Sequence, residues 1–342
     1  MDYFSIVPSE IIQLIAVKLE YFDFETFISC FDCGINYLIQ LSKFRELTPQ
    51  LIRLNFLSTV EEYKMLLCED VIRKAFFIKN ELVDVCSTNI LKIESKFDEF
   101  VYNLPKEIGA LTGLTELKLH NTLIHDIPEE ISKLRSLLIL EISEANIKTI
   151  PNGIKCLQNL KHLDLEDNMI EEMPPQISCL IKLQHFYIDG NRMEIIPHEI
   201  KFLTDLLELY IASNKIALMP EELFQLTNLR RLDLSYNKIE IIPKTMGKLI
   251  NLERLDLGGN RIEVISEELF QLTNLKRLDL YSNKIEIIPK TMSKLINLER
   301  LNIVRCEVKK IPEEIRNLTA TMVISLNGNN IEINSPYSIL LS

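Results

Sequence analysis

Leucine returns at positions 114, 137, 160, 183, 206, 229, 252, 275 and 298, always 23 residues apart. Between these anchors the apolar positions follow one template, L-x-x-L-x-L-x-x-N-x-I-x-x-I-P-x-x-I-x-x-L. In the unit beginning at Leu229 it is filled by Leu232, Leu234, Asn237, Ile239, Ile242, Pro243, Met246 and Leu249. Nine units fit. A weaker tenth (Ile324, Leu326, Asn329, Ile331) follows, and half a unit (Leu104, Pro105, Ile108, Leu111) precedes. Leu232 and Leu234 alternate with Arg231 and Asp233, the period of two of a half-buried strand. One such unit cannot bury its apolar edge alone, so units must stack into a continuous core. The pattern predicts a parallel sheet of ten strands about 4.8 Å apart, hence a face about 45 Å long.

The recurring polar position has a physical use. Asn168, Asn191, Asn214, Asn237, Asn260, Asn283 and Asn329 fall where each strand turns away. An amide that both donates and accepts can satisfy backbone groups in a buried corner. Proline at 128, 151, 174, 197, 220, 243, 289 and 312 holds the return segment extended and discourages a long helix. Thr122, Ala145 and Cys306 replace the Asn, and Ser266 replaces the Pro. EELFQLTNL at 221 recurs at 267 and NKIEIIPKTM at 237 recurs at 283, so this half grew by copying unit pairs.

Nine in-phase copies resemble the leucine-rich repeat family over residues 91–342. The resemblance implies an α/β solenoid with its parallel sheet on a concave face, and a non-catalytic protein-binding role. The I-x-x-I-P-x-x-I form is similar to the intracellular Ras-related group of these proteins. That likeness implies an alternative role, a signalling scaffold for a small GTPase or a phosphatase.

Residues 1–90 carry no 23-residue phase and read as a small helical domain. Ser58-Thr59-Val60-Glu61 matches a capping box ahead of Met65, Leu66, Val71 and Ile72. Part of the segment must cap the first repeat. Residues 46–90 are assigned as helical linker and cap. Residues 1–45 contain Val7-Pro8-Ser9-Glu10-Ile11, then Leu14, Ile15, Leu19, Asp23-Phe24, Phe27 and Cys30. This run resembles the F-box, with Ile35 to Tyr37 standing where that family usually has an aromatic, often Trp. The resemblance implies docking on a Skp1-type ubiquitin ligase adaptor through Pro8, Glu10, Ile11, Leu14, Ile15, Leu19, Phe24 and Phe27. F-box first and repeats second is also the order in similar chains of large DNA viruses.

Outward positions of the strands predict the binding face. The units beginning at 114 to 206 present eight carboxylates (Glu116, Glu141, Glu144, Asp164, Glu166, Asp167, Asp189, Glu208) against Lys118 and Lys161. The units from 229 to 298 present seven basic residues against five acidic ones. There Arg231, Arg254, Arg277 and Arg300 stand beside Asp233, Asp256 and Asp279, either as a self-neutralising ladder or as a surface for a charge-patterned partner. Between the halves lie His162, His185, Tyr187 and Tyr210, of types favoured at the centre of interfaces. Leu138 and Ile139 project where polar residues otherwise sit.

Composition narrows the classes. A net charge of -11 argues against a nucleic-acid partner, and no run approaches the roughly 20 apolar residues of a membrane-spanning helix. The opening residues show no secretory leader, and seven scattered cysteines suit free thiols in a reducing compartment. The expected location is therefore cytoplasmic, and the expected state is a monomer apart from its partners. No phosphate-binding glycine loop or Ser/His/Asp set appears, so no enzyme and no cofactor are expected. The lone Cys30-x-x-Cys33 lacks the second pair of a zinc site, and the pair His162/His185 has no third ligand forced into range.

Overall fold

The computed structural model describes residues 90–94, 104, 106–120, 122, 124–318 and 322–331. The F-box-like segment, Cys30 and Cys33, and the linker through residue 89 lie outside the described residues.

Among the described residues, eleven strands form one parallel sheet in sequence order. They are β1 (Ile90–Glu94), β2 (Glu116–His120), β3 (Ile139–Ser143), β4 (His162–Asp164), β5 (His185–Tyr187), β6 (Glu208–Tyr210), β7 (Arg231–Asp233), β8 (Arg254–Asp256), β9 (Arg277–Asp279), β10 (Arg300–Asn302) and β11 (Val323–Ser325). From β2 onward each partner residue is 23 positions away, as in Glu116↔Ile139 and Arg300↔Val323. Strand β1 pairs at a different interval, Ile90↔Glu116, which is why the 23-residue phase misses it. The sheet thus has one strand more than the template predicts and begins at Ile90, one residue before the boundary drawn from sequence.

The apolar template positions are the core. In the unit at 229, Leu229, Leu232, Leu234, Ile239, Ile242, Met246 and Leu249 are all buried, and equivalent residues of neighbouring units continue the cluster. Each contributes on the order of 1.5–3 kcal/mol by leaving water. The prolines are extended as expected, near φ -70° and ψ 150°, but each introduces a five-residue 3-10 helix. The proline carbonyl accepts the bond that starts that helix, as from Ile200 N–H to Pro197 O at 3.1 Å. Ser266 takes the same extended conformation at the start of Glu267–Gln271.

The asparagines do what their chemistry suggests. Asn237 Oδ1 accepts from Ile216 N–H of the preceding unit at 3.0 Å. Its Nδ2 donates to Ile211 O at 2.9 Å, Leu234 O at 3.1 Å and Ser235 O at 3.2 Å. Asn168, Asn191, Asn214, Asn260 and Asn283 repeat this set. Cys306 keeps one such bond, from Sγ to Leu280 O at 3.2 Å, and Thr122 leaves its buried hydroxyl unpartnered.

The residue just before the corner carries a cost that the template hides. Glu144, Asp167, Ser213, Tyr236, Ser282 and Arg305 all lie near φ +52°, and Gly190, Gly259 and Gly328 occupy the same place. Only glycine enters this region freely; other residues give up roughly 1 kcal/mol each.

Candidate functional site

Parallel register turns the outward positions into two columns. One runs Ile139, His162, His185, Glu208, Arg231, Arg254, Arg277, Arg300; the other runs Glu141, Asp164, Tyr187, Tyr210, Asp233, Asp256, Asp279. Adjacent members sit one strand spacing apart, close enough for their side chains to touch.

At the centre the sequence-predicted rings come together. His162 and Tyr187 meet edge-to-face with centroids 5.1 Å apart, and Tyr187 and Tyr210 do so at 4.9 Å. His185 completes the chain, 5.9 Å from His162 and 6.4 Å from Tyr187. Such contacts fix ring orientation and add about 0.5–1.5 kcal/mol per pair.

Two glutamates that the sequence places only as surface charge organise this group. Glu141 lies 3.2 Å from Lys118 Nζ, 3.2 Å from His120 Nε2 and 3.6 Å from His162 Nε2. Glu208 Oε2 accepts from Tyr187 Oη at 2.8 Å, and Oε1 is 2.8 Å from Arg231. His185 Nδ1 stands 3.3 Å from Glu208 Oε2 without the alignment of a hydrogen bond. Burial holds His162 below the usual imidazole range against the pull of Glu141. Burial, then the bond to Glu208, pushes the Tyr187 hydroxyl up.

Beside the rings lies a carboxylate group. Asp164 accepts from Glu166 N–H at 3.0 Å, and its burial raises it. Asp189 accepts from Ala212 N–H and faces Glu166. Its burial, with Asp233 and Glu166 nearby, pushes it up to about 8. Glu166 is raised by burial and by Asp164. Next to this group, a side chain at Gly190 would run into Asp167, and Gly190 has φ +63°.

The Arg/Asp half is built differently. Asp233 Oδ1 caps Ser235 N–H at 2.9 Å and Asp256 Oδ1 caps Gly258 N–H at 2.8 Å, so these aspartates help turn their own strands. Arg277 Nε bonds Asp279 Oδ2 at 2.5 Å, while buried Asp279 Oδ1 has no partner. Burial and the neighbouring Asp233 raise Asp256 to about 7. A depression of about 190 Å³ between these side chains is lined by Tyr210, Arg231, Asp233, Arg254, Asp256 and Arg277. Arg254 and Arg300 are exposed.

One further ring pair escaped the sequence reading. Tyr236 and Tyr281 lie 5.8 Å apart, and a side chain at Gly258 or Gly259 would strike them. The signal was present as tyrosines in the units on either side of Gly258-Gly259. Leu138 is 37% exposed and Ile139 half-buried, as their outward positions imply. Among the described residues no group of three or more His, Cys, Asp or Glu side chains is placed to hold a metal ion, and no helix is long and apolar enough to cross a membrane.

Comparison with known proteins agrees with this architecture. A family model described as a leucine-rich repeat region matches residues 139–240 and 221–339. A leucine-rich repeat protein of Leptospira interrogans is 32% identical with TM-score 0.63, over 70% of this chain and 67% of that one. The ectodomain of the Arabidopsis thaliana membrane receptor kinase GASSHO1/SCHENGEN3, solved in complex with CASPARIAN STRIP INTEGRITY FACTOR 2, is 26% identical with TM-score 0.53. That match covers 67% of this chain but only 31% of the receptor chain. An internalin of Listeria monocytogenes shares the fold at 23% identity and TM-score 0.59, over 78% of this chain and 82% of that one. No curated protein matches the chain. Repeat phase, sheet register, Asn corners and the family match together place this chain in the leucine-rich repeat family.

Proposed function

We propose that the protein is a non-catalytic adaptor whose concave face holds a protein partner, centred on His162, His185, Tyr187 and Tyr210. The observation that carries this reading is the continuous chain of half-buried rings, braced by Glu141 and Glu208, between an acidic and an Arg/Asp surface. Rings held in place lose little entropy on contact and bury much area, the combination found at interface hot spots. The flanking charges would set the register of the partner, a basic segment against the exposed Glu144 and Asp167 and a carboxylate near Arg254 and Arg300. The neighbouring receptor solved with its protein ligand makes such use of the fold reasonable.

The second half of the proposal is docking of residues 1–45 on a Skp1-type adaptor, so that the repeats present a target to a ubiquitin ligase in the cytoplasm. It rests on the Pro8-x-Glu10-Ile11 motif, Leu19 and Phe24, and on their order before the repeats.

Affinity capture with the full chain tests both halves. The double variant Tyr187→Ala/Tyr210→Ala should lose the captured target and keep Skp1, whereas Pro8→Ala/Ile11→Ala/Leu19→Ala should do the reverse. A target retained by the tyrosine variant overturns the concave site. Absence of Skp1 from the wild-type capture overturns the ligase role.

A further inference from the structure

The turn that follows each Asn corner carries an exposed residue immediately before the buried Ile-Pro step. In five consecutive units it is apolar: Ile195, Leu218, Ile241, Val264 and Ile287, each between 68% and 74% exposed. The same place holds exposed Asp126, Thr149 and Glu172 in earlier units and Lys310 in the next. The fold therefore accepts a charge there, and the apolar run is not required for packing. Parallel bridges Ile241↔Val264 and Ile287↔Lys310 keep neighbouring members one strand spacing apart, giving a straight stripe roughly 20 Å long. A solvent-facing stripe of this kind marks an interaction surface.

The rim of the stripe indicates what covers it. Three residues after each stripe position stand His198, Glu221, Lys244, Glu267, Lys290 and Glu313, all exposed. From Glu221 on the sign alternates. Place a two-fold axis across the stripe, midway between Ile241 and Val264. Ile241 then faces Val264 of a second copy, and Leu218 faces Ile287. On the same side, Lys244 meets Glu267, Glu221 meets Lys290, and His198 meets Glu313. Moving the axis onto Ile241 would instead set Lys244 against Lys244 and Glu221 against Glu267, so charge selects one register. Ile195 is left opposite Lys310, whose methylene stem can cover it. A trough of about 620 Å³ lies at that axis, between Ile241 and Val264 and walled by Lys244 and Glu267, so in this register the troughs of the two copies face each other. On the opposite rim Glu240 would face Glu263, but Arg261 stands 3.8 Å from the first and Lys284 3.7 Å from the second.

We infer that this stripe joins two copies of the chain in an antiparallel, two-fold dimer, leaving the concave faces free. The duplication of unit pairs generated the alternating rim; Ile195 and His198 lie outside the copied stretch and still fit. It departs from the monomer expected from sequence.

Sedimentation velocity of the full chain across a wide concentration range tests the inference. The wild type should form a dimer. Ile241→Glu, a side chain the same place already accepts at Glu172, should raise its dissociation constant at least about tenfold, with an unchanged melting temperature at dilutions where both proteins are monomeric. Lys244→Glu should weaken it by about tenfold, and Lys244→Glu/Glu267→Lys should restore it. A wild type that stays monomeric, a dimer indifferent to Ile241→Glu, or a charge swap without rescue would each overturn it. Tyr187→Ala should leave the dimer intact, which separates this outcome from that of the concave site.

Discussion

The two halves of the concave face share one backbone and differ in almost everything that projects from it. Strands β4 to β6 present edge-to-face rings braced by Glu141 and Glu208, with a group of half-buried carboxylates beside them. Strands β7 to β10 present a repeated Arg-Leu-Asp or Arg-Leu-Asn in which Arg277 pairs with Asp279 while Asp233 and Asp256 cap their own strands. Beneath both runs the same buried column, Leu163, Phe186, Leu209, Leu232, Leu255, Leu278 and Leu301. The inward positions are fixed by stacking, and the outward ones are free to be specialised. A site in this fold is therefore a choice of outward residues over a few neighbouring units.

If the core is truly common, equal damage should follow equal changes. Leu209→Ala beneath the rings and Leu255→Ala beneath the ladder should each cost about 2–5 kcal/mol in denaturant unfolding, and the two should agree within about 1 kcal/mol. A much smaller loss at either site would break the comparison. Next come the corners. Asn191→Ala and Asn260→Ala each strand buried backbone groups and should cost roughly 1–3 kcal/mol in the same assay, again similarly in both halves.

Much of this was legible beforehand because a 23-residue rhythm repeated nine times leaves little freedom. The leucine columns, the Asn corners and the extended prolines all follow from it. What stayed hidden depends on neighbours from different units. Glu141 and Glu208 look like any exposed glutamate until parallel register sets them beside His162 and Tyr187. The left-handed residue before each corner is Glu, Asp, Ser, Tyr, Arg or Gly, so no residue type announces it, though three glycines in that place hint at it. Strand β1 was missed because its pairing interval breaks the rhythm. The apolar stripe escaped because its position is a free one in the template.

The halves should separate when charge is tested. Asp189 and Asp256 are raised, mainly by burial, to about 8 and about 7. The folded chain thus holds their protons more tightly than the unfolded one. The stability they contribute is full below the ordinary aspartate value near 4 and is lost as pH rises through about 8 and about 7 respectively. Asp189→Asn keeps an acceptor for Ala212 N–H and removes the charge, so it should raise the melting temperature above pH 8 and change little near pH 4. A gain on the order of 1 kcal/mol is expected. Asp256→Asn should show the same effect with its midpoint about one pH unit lower. His162, held low by burial, acts in the opposite sense, its contribution full above about 6.5 and lost as pH falls. Melting curves at pH 5 and pH 9 distinguish these cases.

The smallest expected effect on stability is at an exposed arginine within the ladder. Arg254→Glu should shift unfolding by less than about 0.5 kcal/mol, while changing the salt dependence of target binding. A large loss of melting temperature there would contradict the exposed placement.

The most direct test of the concave site is photo-crosslinking in the cell, with a benzophenone amino acid placed at Tyr210 in one protein and at exposed Lys248, in a 3-10 helix away from the sheet, in another. The target should crosslink from position 210 and not from position 248. Crosslinking from 248 alone would show that the target sits elsewhere on the molecule and that the ring chain is not where it is held.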